Sequence, residues 1–547
     1  MRRLLLATLL LTACGPQYDL IIRHGTVYDG TGAPGVVADV GVLGDSIAVI
    51  GDLAAAKGAR EVDATGMAVA PGFVNMLSWA NEALLHDGRS QSDLRQGVTL
   101  EVFGEGESMG PLSDSMKAEY VASMGDDPFP ITWTSLAGYL DTLVAKGIST
   151  NVASFVGAAT VRQYVLGHLA RPATPEEQAR MEALVDQAMQ QGAMGVGSSL
   201  IYEPGMFATT AELTGLARTA AKYDGMYISH IRNEGDSLLD AVDELLAIAR
   251  ASGARAEIYH LKASGKPNWG LMDVVIRKID SANAAGAAIT ADMYTYPASA
   301  TGLDAVMPGW VREGGFDAWR ARLMQPAVRA RLKAEWTARG GAFTSSDGAG
   351  GVLLASFRQD SLRGYVGKTL AEAAALRHQS AEDAAMDLII ADQSRVGCIY
   401  FTMSEDNLRK EIVQSWLSFA SDASSIAPEG RFLASNPHPR AYGTFARVLG
   451  KYTRDEGVLT LPEAIRKLSG LPAATLRAAR RGTLRPGNYA DIVVFDPATI
   501  TDHATFAAPH QYATGVRDVF VNGVQVLRDG EHTGATPGRV VWGPGRR

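Results

Sequence analysis

The sequence predicts an α/β fold, a (β/α)8 TIM-like barrel carrying a small β-domain, on three observations. From about residue 67 to 480, apolar strand-like runs alternate with helix-like stretches, the pattern of repeated β-α units. Within that region, the runs ending at His230 and His260 flank a helix-like stretch over 237–251, so they read as parallel neighbours joined by a crossover helix. Outside it, both ends of the chain are rich in short strands. Repeated units of this length favour a closed barrel over an open doubly wound sheet. No Gly-x-Gly-x-x-Gly follows a strand, which counts against dinucleotide binding.

Taken in order, the chain opens on Met1-Arg2-Arg3, an apolar run over 4–11, and Leu11-Thr12-Ala13-Cys14-Gly15. The run is too short to span a bilayer and has the form of a signal peptide. Small residues leading into Cys14 resemble a bacterial lipobox, which predicts cleavage before Cys14 and acylation of that cysteine. Residues 1–14 are therefore expected to be a lipoprotein signal peptide ending in the lipobox Cys14. The expected location is the bacterial cell envelope, with a periplasm-facing body anchored by its N-terminal lipid only. Cys398 is the one other cysteine, so an acylated Cys14 leaves no intramolecular disulfide. A formal charge of −8 argues against nucleic acid as a partner.

Strand-like runs at 20–28, 40–42 and 47–50 have counterparts at 490–495, 516–521 and 524–527. They predict one small sheet domain built from 15–66 and 480–547. Residues 67–479 are left for the barrel. Its strands are expected at 68–76, 99–104, 151–156, 195–200, 226–230, 256–260 and 288–292, with a further one ending near Asp422. Helices are expected at 175–191, 211–223 and 271–285. The segment from about 305 to 420 is too long for one β-α unit and predicts an inserted subdomain.

Barrel enzymes carry their chemistry where strands end and loops begin. That filter leaves Glu105, His230, His260, Asp292 and Asp422. Two imidazoles and a carboxylate around an open position suit a catalytic zinc, and a further carboxylate then serves as general base and later as acid. A lone histidine would read as a hydrogen-bonded core residue; two at equivalent strand ends read as ligands. Asp422, in Phe419-Ala420-Ser421-Asp422-Ala423-Ser424, also fits a turn or a helix cap, and spacing leaves that choice open. Arg232 and Lys262, each two residues past a histidine, have a plain reading as surface charge.

Several stretches together resemble the N-acyl-D-amino-acid deacylases, or D-aminoacylases. They are Arg95-Gln96-Gly97-Val98-Thr99, Ser229-His230-Ile231-Arg232-Asn233-Glu234-Gly235, His260-Leu261-Lys262-Ala263-Ser264-Gly265 and His438-Pro439-Arg440. Leu200-Ile201-Tyr202-Glu203-Pro204-Gly205, the run from Tyr442 to Gly450 and Arg485-Pro486-Gly487-Asn488-Tyr489-Ala490-Asp491 extend the resemblance over nearly the whole mature chain. It implies the amidohydrolase superfamily: a metal-dependent barrel flanked by a small β-sandwich from both termini. It implies His230 and His260 as zinc ligands, Asp422 as the catalytic aspartate, and Lys262, Tyr294 and Arg440 as the groups holding the substrate's carboxylate. A guanidinium suits that task as a planar two-pronged donor.

The sequence departs from the family in two places. A His-x-His after the first strand is replaced by Leu77-Ser78-Trp79, and a cysteine ligand after the second gives way to Gly104-Glu105-Gly106-Glu107-Ser108-Met109-Gly110. Glu105 then stands as third ligand, with Glu107 second in line, and one Zn2+ ion is expected rather than two. The function implied is a zinc-dependent amidohydrolase that deacylates N-acyl-D-amino acids or related N-acyl amino acids. Its rivals are a lipid-anchored binding protein with little or no turnover, and an amidohydrolase of cyclic amides or dipeptide-like compounds.

Overall fold

The computed structural model describes residues 17–124, 128–343, 345 and 347–546; the signal-peptide run and Cys14 lie outside the described residues. The fold is mixed α/β with parallel sheets. Strands from both ends of the chain share one nine-stranded sheet. Its seam is Ala68–Pro71, which pairs parallel with the end of Gln17–Val27 and antiparallel with Ile492–Phe495. Alternate residues, Leu20 and Ile22, Val40 and Val42, Ile492 and Val494, enter one shared core, as the two-residue period of a strand requires.

The single strand expected over 68–76 is two. Ala68–Pro71 belongs to the terminal sheet and Phe73–Asn75 to a parallel sheet. The switch occurs at Gly72, where a Cβ would lie 2.1 Å from Thr99 Oγ1. Only a residue without a side chain lets the two sheets approach so closely.

Phe73–Asn75, Val98–Phe103 and Asn151–Ser154 pair in parallel. Val156–Gly157, Gly195–Ser199, Met226–His230, Ala256–Ile258, Ile289–Met293 and Leu417–Phe419 form a second parallel sheet in that order. One residue separates the sheets at Phe155, whose N–H donates to the Phe103 carbonyl at 2.9 Å. At the far edges Asp422 N–H donates to Leu77 O at 2.9 Å and Trp79 N–H to Ala423 O at 3.0 Å. These strands are buried on both faces, which explains their near-continuous apolar sequence.

Helices lie where the periodicity placed them, within one or two residues. Leu238–Ser252 buries Leu238, Ala241, Val242, Leu245, Ile248 and Ala249 on one face and ends at the left-handed Gly253, a conformation natural to glycine. Pro175–Gln190 starts from a capping box between Thr174 and Glu177, which satisfies two otherwise unpaired backbone donors. The excursion after Ile289–Met293 carries its own antiparallel sheet, Ser299–Gly302, Gly397–Tyr400 and Val352–Ser356, and its own core around Trp319, Leu332, Trp336 and Ile389. It therefore begins before 305, and Leu417–Phe419 already sits back beside Ile289–Met293. Among the described residues no helix is long and apolar enough to cross a membrane.

Candidate active site at the strand ends

A cavity of about 930 Å³ opens between the C-terminal ends of the parallel strands and the inserted sheet. Glu105, His230, His260, Lys262, Tyr294, Asp422 and Arg440 all line it. His230 is the last residue of its strand, and His260 follows Ala256–Ile258 by two residues with a positive φ of 34°. That backbone is held by Asp292, whose carboxylate accepts the His260 N–H at 2.8 Å. Asp292 thus supports the site from below, where burial raises its carboxyl to about 7. Glu105 reaches the cavity across Gly104, whose φ of 110° and contact with Phe155 O leave no room for a Cβ.

Glu105 Oε1 lies 2.8 Å from His230 Nδ1 and 3.0 Å from His260 Nε2. Ligand atoms of these three buried residues all fall within 4.8 Å of one another. Glu107, the second choice from sequence, is exposed and is not among these donors. Burial opposes a charged Glu105, yet His260 and His230 hold its carboxyl below the usual range. Burial and Lys262 oppose protonation of His260, but Glu105 and Asp422 outweigh them and raise it to about 10. The carboxylates of Glu105 and Asp422 therefore favour a positive charge at this corner of the site. Two imidazoles and a carboxylate converging there form a donor set that fits zinc.

Two residues that the sequence reading left without a role complete the surroundings. Trp79 Nε1 donates to Glu105 Oε2 and to Asp422 Oδ1, both at 3.1 Å. Glu234 Oε1 accepts from Lys262 Nζ at 2.5 Å and lies 3.2 Å from His260 Nδ1 and 3.7 Å from His230 Nε2. A carboxylate behind a ligating histidine fixes ring orientation and tautomer. Its signal in the sequence is its place four residues after His230; for Trp79 there was none beyond the missing histidines.

Asp422 is buried, which pushes its carboxyl up, while Arg440 opposes the shift. Its Oδ2 lies 2.8 Å from Arg440 Nη1. Arg440 stands at the start of the helix Arg440–Arg447, with its guanidinium 4.4 Å from the Tyr294 ring centroid. Its backbone N–H donates to His438 Nδ1 at 3.0 Å, which leaves His438 Nε2 to donate to Ala298 O at 2.9 Å. Burial and Arg440 keep that imidazole neutral, far below its ordinary value. Lys262 Nζ sits 5.7 Å from the same Tyr294 ring. Arg232 faces elsewhere, paired to Glu244 at 2.8 Å and to the carbonyls of Met206 and Ala208.

Residues 430–527 match the Amidohydrolase family. D-aminoacylase from Alcaligenes xylosoxydans xylosoxydans is 34% identical over 525 residues, covering 96% of this chain and 97% of that protein. A solved D-aminoacylase, studied for its binuclear metal centre with one-metal activation and second-metal attenuation, superposes with a TM-score of 0.80. It is 33% identical over 96% of this chain and 99% of its own. N-acyl-D-glutamate deacylase from Bordetella bronchiseptica, solved with zinc and a phosphonate mimic of the tetrahedral intermediate, gives a TM-score of 0.81. Its identity is 31%, over 96% of this chain and 100% of its own.

Proposed function

Because the chain belongs to the N-acyl-D-amino-acid deacylase (D-aminoacylase) family of amidohydrolases, we propose that it hydrolyses the linear amide bond of N-acyl-D-amino acids or related N-acyl amino acids. It is a metal-dependent hydrolase. The observation that carries the reading is the convergence of His230 Nδ1 and His260 Nε2 on Glu105 Oε1 at the floor of the cavity. Glu105, His230 and His260 would hold a single zinc ion; the Trp79 N–H on the other Glu105 oxygen favours one ion over two. Such an ion, when bound, polarises the scissile carbonyl and makes water a nucleophile near neutral pH.

The remaining work falls to the chain. Asp422 takes a proton from the attacking water and returns it to the leaving nitrogen. Arg440, Lys262 and Tyr294 anchor the substrate's carboxylate and so fix the amide relative to Asp422. Lys262 is hydrogen-bonded to Glu234, whereas Nε and Nη1 of Arg440 make no hydrogen bond among the described residues, which leaves Arg440 as the freer donor.

The architecture that accompanies this reading is a (β/α)8 barrel over 67–479 with an insertion between Ile289–Met293 and Leu417–Phe419, beside a small β-sandwich from 15–66 and 480–547. Hydrogen bonds at both sheet junctions support the barrel, and the pairing of Gln17–Val27 with strands on two sides supports the sandwich. A lipid-anchored, periplasm-facing location rests on the Cys14 sequence and would be tested by detergent-phase partition of wild type against Cys14→Ser. For the activity, metal content and amine release from a panel of N-acyl-D-amino acids are the test. About one zinc per chain and turnover are expected, both lost in His230→Ala plus His260→Ala; unchanged zinc in that variant would overturn the site.

A further inference from the structure

Asp422 meets two donors from its own chain, and they differ in kind. Trp79 Nε1 makes a hydrogen bond to Oδ1. Arg440 Nη1 comes within 2.8 Å of Oδ2, yet this contact is misaligned, and both Nε and Nη1 of Arg440 are buried without a hydrogen-bond partner. Buried guanidinium donors left unspent are costly. Arg440 lines the same cavity as the triangle, and Asp422 is the one carboxylate in ion-pair range of Arg440 among the described residues. The base and the anchor for the substrate's carboxylate are therefore in contact with each other before any substrate enters.

We propose that Arg440 is a latch on Asp422 that the substrate's own carboxylate releases: the incoming anion takes the guanidinium, and Asp422 is left to Trp79 and the attacking water. This rests on the deacylase reading above. A guanidinium binds a carboxylate best in a two-pronged arrangement, which the misaligned Asp422 contact does not provide and a mobile ligand does. Carboxylate recognition then acts on turnover as well as on affinity. A compound with the same amide but no carboxylate enters a site whose base is still engaged.

The test compares an N-acyl-D-amino acid with the matching N-acylamine that lacks only the carboxylate, using metal-loaded wild type and Arg440→Met. For wild type, loss of the carboxylate is expected to lower kcat as well as raise KM. In Arg440→Met the N-acylamine should turn over faster than in wild type, on the order of tenfold, while the N-acyl amino acid slows. A plain anchor predicts no change for the N-acylamine, and that result, or a fall, overturns the latch. A second measurement needs no variant. Free propionate should accelerate N-acylamine turnover by wild type in a saturable way, and inhibition or no effect counts against the proposal. Turnover of the N-acyl amino acid by wild type is the separate check on the deacylase reading.

Discussion

Glu101 and Glu105 are four residues apart, both are buried, and their surroundings shift their carboxyls in opposite directions. Glu101 lies inside the strand Val98–Phe103 and, among the described residues, accepts hydrogen bonds only from hydroxyls: Ser78 at 2.7 Å, Thr150 at 3.0 Å and Ser90. Its neighbour Asp93 accepts from Asn75 at 3.2 Å. Burial raises both carboxyls, and in Asp93 the nearness of Glu101 adds to the effect. Glu105, just past the strand end, faces two imidazoles and stays ionised. Desolvation is the largest influence in each case; what differs is whether a cation stands opposite. Whether a buried acid stays ionised depends on the groups that fold toward it, not on burial alone.

The sharpest way to break this comparison is to make the same isosteric change at both positions. Glu105→Gln is expected to abolish stoichiometric metal and lower turnover roughly 1,000-fold, a loss of several kcal/mol. Glu101→Gln should keep its metal and stay within about tenfold of wild type, since its carboxyl is already disposed to be neutral. Loss of metal in Glu101→Gln, read by elemental analysis, would show that the two regions are not independent.

Metal removal comes next. If the ion is present at about 1,000 times its Kd, it stabilises the fold by about 4 kcal/mol. A chelator should therefore lower the Tm of wild type and Glu101→Gln but leave Glu105→Gln nearly unmoved. A smaller effect is expected behind the histidines. Glu234→Gln should weaken metal affinity about 10- to 100-fold, measured by competition with a chelating dye, and an unchanged Kd would remove Glu234 from any role in ring orientation.

The smallest effect concerns pH and the Glu101 side of the comparison. A folded carboxyl raised above its ordinary value of 4.5 leaves its stability whole below that pH and loses it as pH climbs toward the raised folded value. Glutamine does not titrate. The stability of Glu101→Gln should therefore rise relative to wild type between pH 5 and pH 8, by on the order of 1 kcal/mol, read as a growing difference in Tm. A difference that stays flat or reverses would mean that Glu101 is ionised in the folded protein.

Much of this was legible in the chain. Parallel strands buried on both faces read as apolar runs, and the position of His230 and His260 after such runs marked them. The helix Leu238–Ser252 was readable from its apolar spacing. Other features were not. Ser299–Gly302 reads Ser-Ala-Thr-Gly and pairs with Gly397–Tyr400 without any hydropathic contrast of its own. Trp79 finds Asp422 across 343 positions, and no spacing rule reaches that far.

The sequence by itself determined the class of fold, the strand ends at which chemistry would collect, and the family to which the chain is similar, because alternation, periodicity and contiguous motifs are local. Tertiary structure decided which carboxylate faces the histidines, that Glu234 ties Lys262 to His260, and that Arg440 rests on Asp422. Those facts depend on a few ångströms between loops from different strands. At that scale the field of a neighbouring cation reverses what burial alone would do to an acid.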